Sequence, residues 1–504
     1  MSPHTVSPPA LARLPSGIAG LDTITSGGFI TGGLYLIRGA PGAGKTIFTN
    51  QVCFHHAAQG GRAIFVTLLA ENHARMLDNL RGLCFFDETF LPDRVTYLSS
   101  YAEVRDGGLD AVVNLVRREI QHRRATVLVI DGLVTPQISA GSEQAYKQFV
   151  HDLQEIALAT DCTVFLTTNA NEEVTPEQTM VDGIVLLTDR TYGWQAASDL
   201  QIKKFRSSAF LRGRHSYKIT DGGIEVFPRI EALYAYPSAS AGAAAAVDKV
   251  STGVERLDAM VGGGLPAAST TMVMGPSGIG KTTLGLHFIS RSSVEQPGLV
   301  FSFYETPARL RAKIAQIEPG LLSLIDDGIV EMLWQTPTGD LLDAYGHRLL
   351  EAVRRRQVKR LFIDGLTAFQ KGSIDPARIG NFFAALANEL RVLGVTTVYS
   401  LELPDMLGGH PRAPVDDASN IAENMILMRY VERRAQVHRL VSVLKVRDSG
   451  FDHSTREFFL AQDGLRISET SATAVGLLES DGGEAAAEDP DRASAASLSP
   501  RHEG

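Results

Sequence analysis

Short apolar runs rich in β-branched residues alternate along the chain with stretches whose apolar residues recur at helical spacing. Runs such as 34–37, 127–130 and 361–363 are typical of strands buried on both faces of a sheet. The segment 110–118 instead places its apolar residues three and four positions apart, as one face of a helix does. This alternation predicts an α/β fold, with a mainly parallel twisted sheet and helices on both of its faces.

The same order of segments occurs twice. Residues 16–22 are similar to 252–258, and the apolar run ending at Asp131 is similar to the run ending at Asp364. Two short Lys-x-Arg sequences follow at matching places near the end of each half. A repeat that keeps its order over more than 200 residues indicates two tandem copies of one domain.

Composition places the boundaries of the two copies. A run of small residues at 237–247 has little to bury and is predicted to be a linker. We therefore expect a first domain at 13–236 and a second at 248–468, preceded by a flexible N-terminus at 1–12. Residues 469–504 are acidic and poor in large apolar side chains, which predicts a disordered tail or a segment that docks a partner.

Each half carries a P-loop, a glycine-rich sequence of the form G-x-x-x-x-G-K-[ST], between a strand-like run and a helix-like run. In this context the loop's N–H groups cradle phosphate, the lysine reaches the β- and γ-phosphates, and the threonine hydroxyl binds Mg²⁺. Two ATP sites that require Mg²⁺ are predicted. The first contains Gly39, Ala40, Pro41, Gly42, Ala43, Gly44, Lys45 and Thr46, and the second contains Gly275, Pro276, Ser277, Gly278, Ile279, Gly280, Lys281, Thr282 and Thr283.

Acidic residues at strand ends are candidates for the metal and for catalysis. Asp131 and Asp364 each end an apolar strand and are predicted to hold Mg²⁺ opposite the P-loop threonine; a plain capping role is the alternative. Hydrolysis also needs a carboxylate that orients or deprotonates water. Glu305 ends the next strand of the second half, whereas the corresponding first-half positions are occupied by Leu69-Ala70, with Glu71 one residue late. Either glutamate can instead be a helix-capping residue.

The two Lys-x-Arg sequences are candidate cations for the site of a neighbouring subunit. Lys204 and Arg206, and likewise Lys445 and Arg447, lie on strand-like segments, where alternation places both members on one face. Two cations there can neutralise a γ-phosphate in trans, as an arginine finger does. A solvated basic strand face is the alternative, and recurrence of the sequence in both halves favours the functional interpretation.

Composition excludes several classes of protein. A hydrophobic fraction of 44% with 21% charged residues is ordinary for globular domains. No apolar run reaches the roughly 18 residues of a membrane span, and no secretion signal is present. Three cysteines without metal-ligand spacing fit a reducing cytoplasm. The net charge of −9 argues against nucleic-acid binding.

Together these features resemble the KaiC family of the RecA/DnaB superfamily over roughly residues 13–468. The resemblance rests on the P-loops and on the segments 251–258, 262–266, 303–307, 425–432 and 456–459. It implies two tandem RecA-like P-loop domains, stacked as two rings in a homohexamer, with ATP between subunits. It also implies ATP hydrolysis in the first ring, autokinase and autophosphatase activity in the second, and protein partners of the KaiB or histidine-kinase type.

The chain departs from the family pattern at two places. The family carries adjacent glutamates after the second strand of each domain, whereas this chain has Leu69-Ala70 and Tyr304-Glu305. The phosphorylated Ser-Thr pair of the family aligns with Ser419-Asn420, which leaves Ser419 as the candidate phosphoacceptor. A serine ahead of helix-forming residues can equally be a helix N-cap.

We therefore expect an ATPase whose second domain hydrolyses ATP and whose first domain binds it to hold the ring together. A nucleotide-gated signalling scaffold with little turnover is the alternative. A DNA-stimulated motor is the third interpretation, and the chain's acidity opposes it.

Overall fold

In the computed structural model the chain divides into two compact units, Met1–Ala235 and Tyr236–Gly504. The described residues are 11–68, 73–133, 142–169, 176–192, 195–235, 248–336, 341–373, 375–403, 422–433, 435–447, 449–461 and 464–469. Apart from residues 11, 12 and 469, the predicted flexible N-terminus, linker and acidic tail lie outside them.

The first unit is built on a nine-stranded sheet with the strand order β11-β10-β9-β8-β3-β7-β6-β4-β5. Strands β8 to β5 in that order are parallel, and β9, β10 and β11 continue the sheet in antiparallel fashion. The strands, including the separate β1-β2 pair, are β1 Arg13–Leu14, β2 Phe29–Ile30, β3 Leu34–Gly39, β4 Ala63–Thr67, β5 Val95–Ser99, β6 Val127–Asp131, β7 Thr163–Thr168, β8 Gly183–Tyr192, β9 Gln195–Phe205, β10 Arg214–Thr220 and β11 Gly223–Phe227.

The helices of the first unit are α1 Leu21–Ile24, α2 Lys45–Ala58, α3 His73–Leu80, α4 Tyr101–Arg123, α5 Glu143–Thr160, α6 Pro176–Met180 and α7 Ile230–Tyr234, with one 3₁₀ turn at Glu88–Phe90. Most of these helices connect its parallel strands, whereas α1 lies between β1 and β2 and α7 follows β11. The central strand β3 shows why both faces are covered. Leu34 and Leu36 join one hydrophobic core, whereas Tyr35 and Ile37 join another. Alternating side chains therefore pack against helices on opposite faces of the sheet.

The second unit repeats this architecture with the strand order β16-β15-β17-β18-β14-β19-β20-β21-β22. The first six strands in that order are parallel, and the remaining three are antiparallel. The strands, with the separate β12-β13 pair, are β12 Lys249–Val250, β13 Leu265–Pro266, β14 Thr270–Gly275, β15 Gly298–Ser302, β16 Val330–Trp334, β17 Arg360–Asp364, β18 Thr396–Glu402, β19 Asn424–Arg433, β20 Gln436–Lys445, β21 Arg456–Ala461 and β22 Gly464–Ile467.

The helices of the second unit are α8 Glu255–Met260, α9 Lys281–Ser290, α10 Pro307–Ile317, α11 Gly320–Asp326, α12 Leu342–Arg356, α13 Leu366–Lys371 and α14 Ile379–Val392, with a 3₁₀ turn at Pro376–Arg378. They again lie between its parallel strands, except α8, which lies between β12 and β13. The predicted α/β class, with a mainly parallel sheet in each half, is confirmed. Among the helices in the described ranges, none combines the length and hydropathy that a membrane span requires.

Candidate functional site

The two P-loops lie at the carboxyl ends of the central strands β3 and β14, where ligands bind in open α/β sheets. Each loop places two glycines in the left-handed region, with φ of 86° and 88° at Gly42 and Gly44 and 75° and 120° at Gly278 and Gly280. Residues with side chains rarely adopt these angles. Both loops lead directly into a helix that begins at the P-loop lysine, so the helix N-terminus also faces the phosphate position.

The two P-loop lysines adopt the same pose. The Lys45 ammonium donates to the carbonyls of Gly39 at 2.7 Å and Ala40 at 3.1 Å. Lys281 donates to the corresponding carbonyls of Gly275 and Pro276, at 2.8 and 2.7 Å. Burial lowers the pKa of both lysines. Nearby carboxylates oppose the change, and these are Asp131 in the first half and Glu402 and Asp364 in the second.

The predicted metal ligands are brought together in pairs. Thr46 Oγ1 donates to Asp131 Oδ2 at 3.3 Å, and Thr282 Oγ1 donates to Asp364 Oδ2 at 2.9 Å. A hydroxyl and a carboxylate beside a phosphate-binding loop form the oxygen donor set that Mg²⁺ prefers. The residues therefore fit the metal in both halves.

Each aspartate has a second hydroxyl partner that the sequence did not identify. Thr167 on β7 donates to Asp131 Oδ1, and Ser400 on β18 donates to Asp364 Oδ1 at 2.6 Å. The same hydroxyls accept the N–H groups of Gly132 and Gly365, at 3.1 and 2.8 Å. Only strand pairing brings them here, because they lie 36 residues beyond the aspartates in sequence.

Asp364 is partly buried at the end of its strand, β17. Burial raises the pKa of this carboxyl, and the hydrogen bonds from Ser400 and Thr282 oppose that increase. The balance matters because an ionised carboxylate is the form that binds a metal. The two hydroxyls thus favour the ionised form of Asp364, which can bind a cation.

Strand register gives a common reference point for comparing the candidate catalytic glutamate, Glu305, with the first half. Thr67 pairs with Asp131 across β4 and β6, and Ser302 pairs with Asp364 across β15 and β17. Three positions beyond these partners come Ala70 in the first half and Glu305 in the second. Ala70 and Glu71, the other first-half candidate, lie outside the described residues, so their correspondence to Glu305 rests on sequence alone and the role of Glu71 stays a prediction.

Glu305 and the second P-loop line one cavity of about 480 Å³. Its lining combines the P-loop, the predicted metal ligands, the candidate catalytic carboxylate and polar residues that the sequence had not singled out. The lining residues are Ser277, Gly278, Gly280, Lys281, Thr282, Thr283, Tyr304, Glu305, Lys313, Asp364, Gly365, Thr367, Ser400, Glu402 and Leu460. A binding loop, a metal-ligand pair and a carboxylate in one cavity are the parts that nucleotide hydrolysis requires.

Glu305 is held by two contacts. Its carbonyl accepts a hydrogen bond from Ser302 Oγ at 2.7 Å, and its carboxylate Oε1 contacts Lys313 Nζ at 2.7 Å. The side chains of Glu305 and Lys313 are 30% and 32% exposed, so the pair remains accessible from the cavity.

Comparison with known proteins agrees with this geometry. The sequence model described as the ATPase KaiC matches residues 14–231 and again residues 250–472. The chain belongs to the KaiC ATPase family. The two units are therefore tandem RecA-like domains, as the sequence predicted.

Curated members of the KaiC family align with almost the whole chain. The circadian clock oscillator protein KaiC of Synechococcus elongatus is 26% identical over 482 residues, which cover 92% of this chain and 90% of the relative. The protein of the same name from Parathermosynechococcus lividus is 23% identical over 475 residues, 91% of this chain and 86% of the relative. The similarity thus includes both P-loop domains.

The Lys-x-Arg sequences lie only partly on strands. Lys204 and Lys445 are in β9 and β20, but Arg206 and Arg447 follow the ends of these strands, so the prediction that both members lie on a strand is wrong. A register shift in each hairpin, next to Ile184 and Ile426, breaks the regular alternation there.

Both lysines lie at the amino ends of the parallel strands, at the edge opposite the P-loop of their own domain. Lys204 pairs with Ile184 at the start of β8, and Lys445 pairs with Met425 at the start of β19. Lys204 Nζ donates to the carbonyl of Thr179 at 3.0 Å, and Lys445 Nζ donates to that of Ala422 at 2.9 Å. This placement separates each lysine from a nucleotide bound at the P-loop of its own domain.

An acidic residue joins each Lys-x-Arg sequence to the P-loop strand. Asp182 accepts the N–H of Leu34 at 3.0 Å and lies 3.7 Å from the Arg206 guanidinium. In the second unit, Glu423 accepts the N–H of Thr270 at 3.1 Å and lies 4.0 Å from Arg447. Ser419, the candidate phosphoacceptor, lies outside the described residues.

Proposed function

We propose that the chain is a Mg²⁺-dependent ATPase whose second domain hydrolyses ATP and whose first domain binds ATP chiefly to hold an oligomer together. The observation that carries the proposal is the second cavity, where Lys281, the Thr282–Asp364 pair and Glu305 line one space. Membership of the KaiC ATPase family supports it.

The residues of the second cavity divide the work of hydrolysis. The loop N–H groups and Lys281 bind the phosphates of ATP, while Thr282 and Asp364 hold Mg²⁺, which offsets charge on the β- and γ-phosphates when bound. Glu305 orients the attacking water and accepts its proton. These roles need only local movement, because the side chains already line the same cavity.

The first domain has the binding residues, but its sequence has no carboxylate at the position that corresponds to Glu305. Lys45 and the Thr46–Asp131 pair reproduce the second site, but Ala70 follows where Glu305 stands in the other half. The methyl side chain of Ala70 has no basic atom that could accept a proton from water. We therefore assign nucleotide binding to the first site, with Glu71 as its remaining candidate for slow turnover.

ATP is proposed to bind between subunits of a homohexamer, with Lys204, Arg206, Lys445 and Arg447 acting on the neighbouring subunit's nucleotide. Their position at the edge opposite their own P-loops favours action in trans over action in cis. Since the similar proteins are named circadian clock oscillator proteins, we also propose a role in signalling or clock-type regulation, through protein partners of the KaiB or histidine-kinase type.

The test of this function is the turnover of a Glu305→Gln variant of the full chain. Removal of a general base usually slows catalysis by about 10²- to 10⁴-fold, and the substitution keeps the size of the side chain. Glu295→Gln is the matched control, because Glu295 is exposed in a turn after α9. Turnover that survives Glu305→Gln within a factor of two contradicts the assignment.

A second activity, autophosphorylation of Ser419 by the second domain, is proposed from the resemblance of Ser419-Asn420 to the family's phosphorylated Ser-Thr pair. Glu305 would then accept the proton of the serine hydroxyl in place of that of water. Intact mass after incubation with Mg·ATP should show one added phosphate, which Ser419→Ala abolishes. No gain in mass would favour plain hydrolysis or a nucleotide-gated scaffold.

A further inference from the structure

Lys313 is a cavity residue to which neither the P-loop nor the metal pair gives a role. It projects from α10, eight residues beyond Glu305, and its ammonium lies 2.7 Å from Glu305 Oε1. Exposed ion pairs of this kind add about 0–1 kcal/mol to stability, and both side chains are about one-third exposed. Folding is therefore a weak reason for placing a lysine here.

The charge of the cavity gives a better reason. Carboxylates of Asp364, Glu305 and Glu402 line it together with the ammonium groups of Lys281 and Lys313. A nucleoside triphosphate brings further negative charge, and its γ-phosphate has to approach the carboxylate that activates water. Like charges at short range repel strongly in a partly enclosed site. A mobile cation between the γ-phosphate and Glu305 offsets that repulsion.

Lys313 is placed for this role. Lys281 is held over the start of the P-loop by the carbonyls of Gly275 and Pro276. Lys313 instead reaches the part of the cavity beside Glu305, and its charge also acts on Asp364, where it opposes the effect of burial on the pKa of that carboxyl. Lys281 thus lies at the P-loop side of the cavity, and Lys313 lies at the side of Glu305.

We propose that Lys313 contributes to the distinction between ATP and ADP at the second site: its ammonium has two alternative partners, Glu305 and the γ-phosphate. Exchange from the carboxylate to the phosphate strengthens the binding of ATP and frees Glu305 to bind the attacking water. The inference rests on the proposed function of the second site and makes Lys313 both a phosphate ligand and a positioning residue for Glu305.

The position equivalent to Lys313 in the first half carries no cation. Counted along the sequence from Thr67 and Ser302, which pair with the two aspartates, Ala70 corresponds to Glu305 and Asp78 corresponds to Lys313. Asp78 is exposed on α3 and contacts Arg81 at 2.6 Å. The candidate base and its cation therefore occur together in the second half, and neither is found at the equivalent positions of the first. Such paired occurrence is expected if the lysine serves the glutamate.

The inference can be tested by nucleotide affinity in the full chain carrying Lys45→Ala, measured on the particles that still assemble, so that the second site dominates binding. Affinities for ADP and for the β,γ-imido analogue of ATP are measured with Lys313, Lys313→Met and Lys313→Arg at fixed Mg²⁺ and salt. We expect Lys313→Met to lower the preference for the triphosphate about tenfold or more, the size of one lost charge-assisted hydrogen bond. ADP affinity should stay within about twofold, and Lys313→Arg should retain most of the preference.

The outcomes separate the inference from the function on which it rests. An unchanged triphosphate preference in Lys313→Met, or an equal loss of affinity for both nucleotides, would overturn the role of Lys313 alone. Failure of the Lys45→Ala chain to bind either nucleotide, whatever residue occupies position 313, would overturn the proposed function of the second site and this inference with it.

Discussion

Replacement of Ser400 by alanine tests whether the hydroxyl behind Asp364 supports the second site. Ser400 Oγ donates to Asp364 Oδ1 at 2.6 Å and accepts the N–H of Gly365 at 2.8 Å. The hydrogen bond from Gly365 is buried, whereas the Asp364 carboxylate also lines the cavity. Ser400→Ala therefore leaves one buried backbone N–H unsatisfied and removes one donor from the carboxylate.

The size of the effect follows from these two contacts. A hydrogen bond to a charged group contributes about 1.5–3 kcal/mol. For domains of this size each kcal/mol corresponds to about 2–4 °C in Tm, so the melting temperature should fall by roughly 3–12 °C. Loss of the Ser400 donor also raises the pKa of Asp364 further, since that hydrogen bond opposes the effect of burial. The apparent affinity for Mg²⁺ should fall about 10- to 100-fold, as for other partners of metal ligands.

The assay is a Mg²⁺ titration of ATP turnover at saturating ATP, accompanied by thermal unfolding. Ser400→Thr is the matched control, because Thr167 makes the equivalent contact to Asp131 at the same register position of the first half. The threonine variant should keep the wild-type Mg²⁺ dependence. The reasoning is refuted if Ser400→Ala matches the wild type in both Mg²⁺ dependence and melting temperature.

Three further predictions concern charge, packing and assembly. Because burial raises the pKa of the Asp364 carboxyl, the folded protein binds the proton of this carboxyl more tightly than the unfolded chain does. The free energy of unfolding therefore falls as pH rises above about 3.9, the pKa of an unperturbed aspartate. Asp364→Asn should remove that penalty and raise the Tm of the metal-free protein near neutral pH; calorimetry in EDTA would show no gain if the reasoning is wrong. Gly285→Ala should lower the free energy of unfolding by about 1–3 kcal/mol, because a Cβ at this position would lie 2.2 Å from the Phe362 ring. Denaturant unfolding compares this variant with Gly320→Ala, whose added Cβ would meet no atom within 4 Å. An Arg447→Ala chain mixed with a Lys281→Ala chain should recover turnover at about a quarter of its interfaces if the arginine acts in trans, whereas a mixture as inactive as its components would argue for action in cis.

Local sequence was enough to predict the parts of the site that one segment determines. A P-loop is a strand, a glycine-rich turn and a helix in succession, so its conformation is fixed by consecutive residues. Asp131 and Asp364 were predictable for the same reason, because each ends an apolar run that could only be a buried strand. The repeat strengthened both predictions, since chance matches rarely recur in order.

Residues brought together by strand pairing or by the return of a helix were not predictable in this way. Thr167 and Ser400 are ordinary hydroxyl residues in apolar strands until β7 and β18 are placed beside the strands of the aspartates. Lys313 looks like a solvated charge on an amphipathic helix until α10 carries it back to Glu305. The prediction that Arg206 and Arg447 lie on strands is wrong because sequence periodicity does not reveal the register shifts near the ends of β9 and β20.

The central claim is that the second site hydrolyses ATP while the first holds it for assembly. The most direct test compares steady-state turnover and oligomer mass for Glu305→Gln and Lys45→Ala in otherwise identical full chains with Mg·ATP. We predict that Glu305→Gln assembles normally and loses most turnover, whereas Lys45→Ala weakens assembly and retains turnover in the particles that still form. Turnover that persists in Glu305→Gln and vanishes in assembled Lys45→Ala would show that the two sites have the opposite roles.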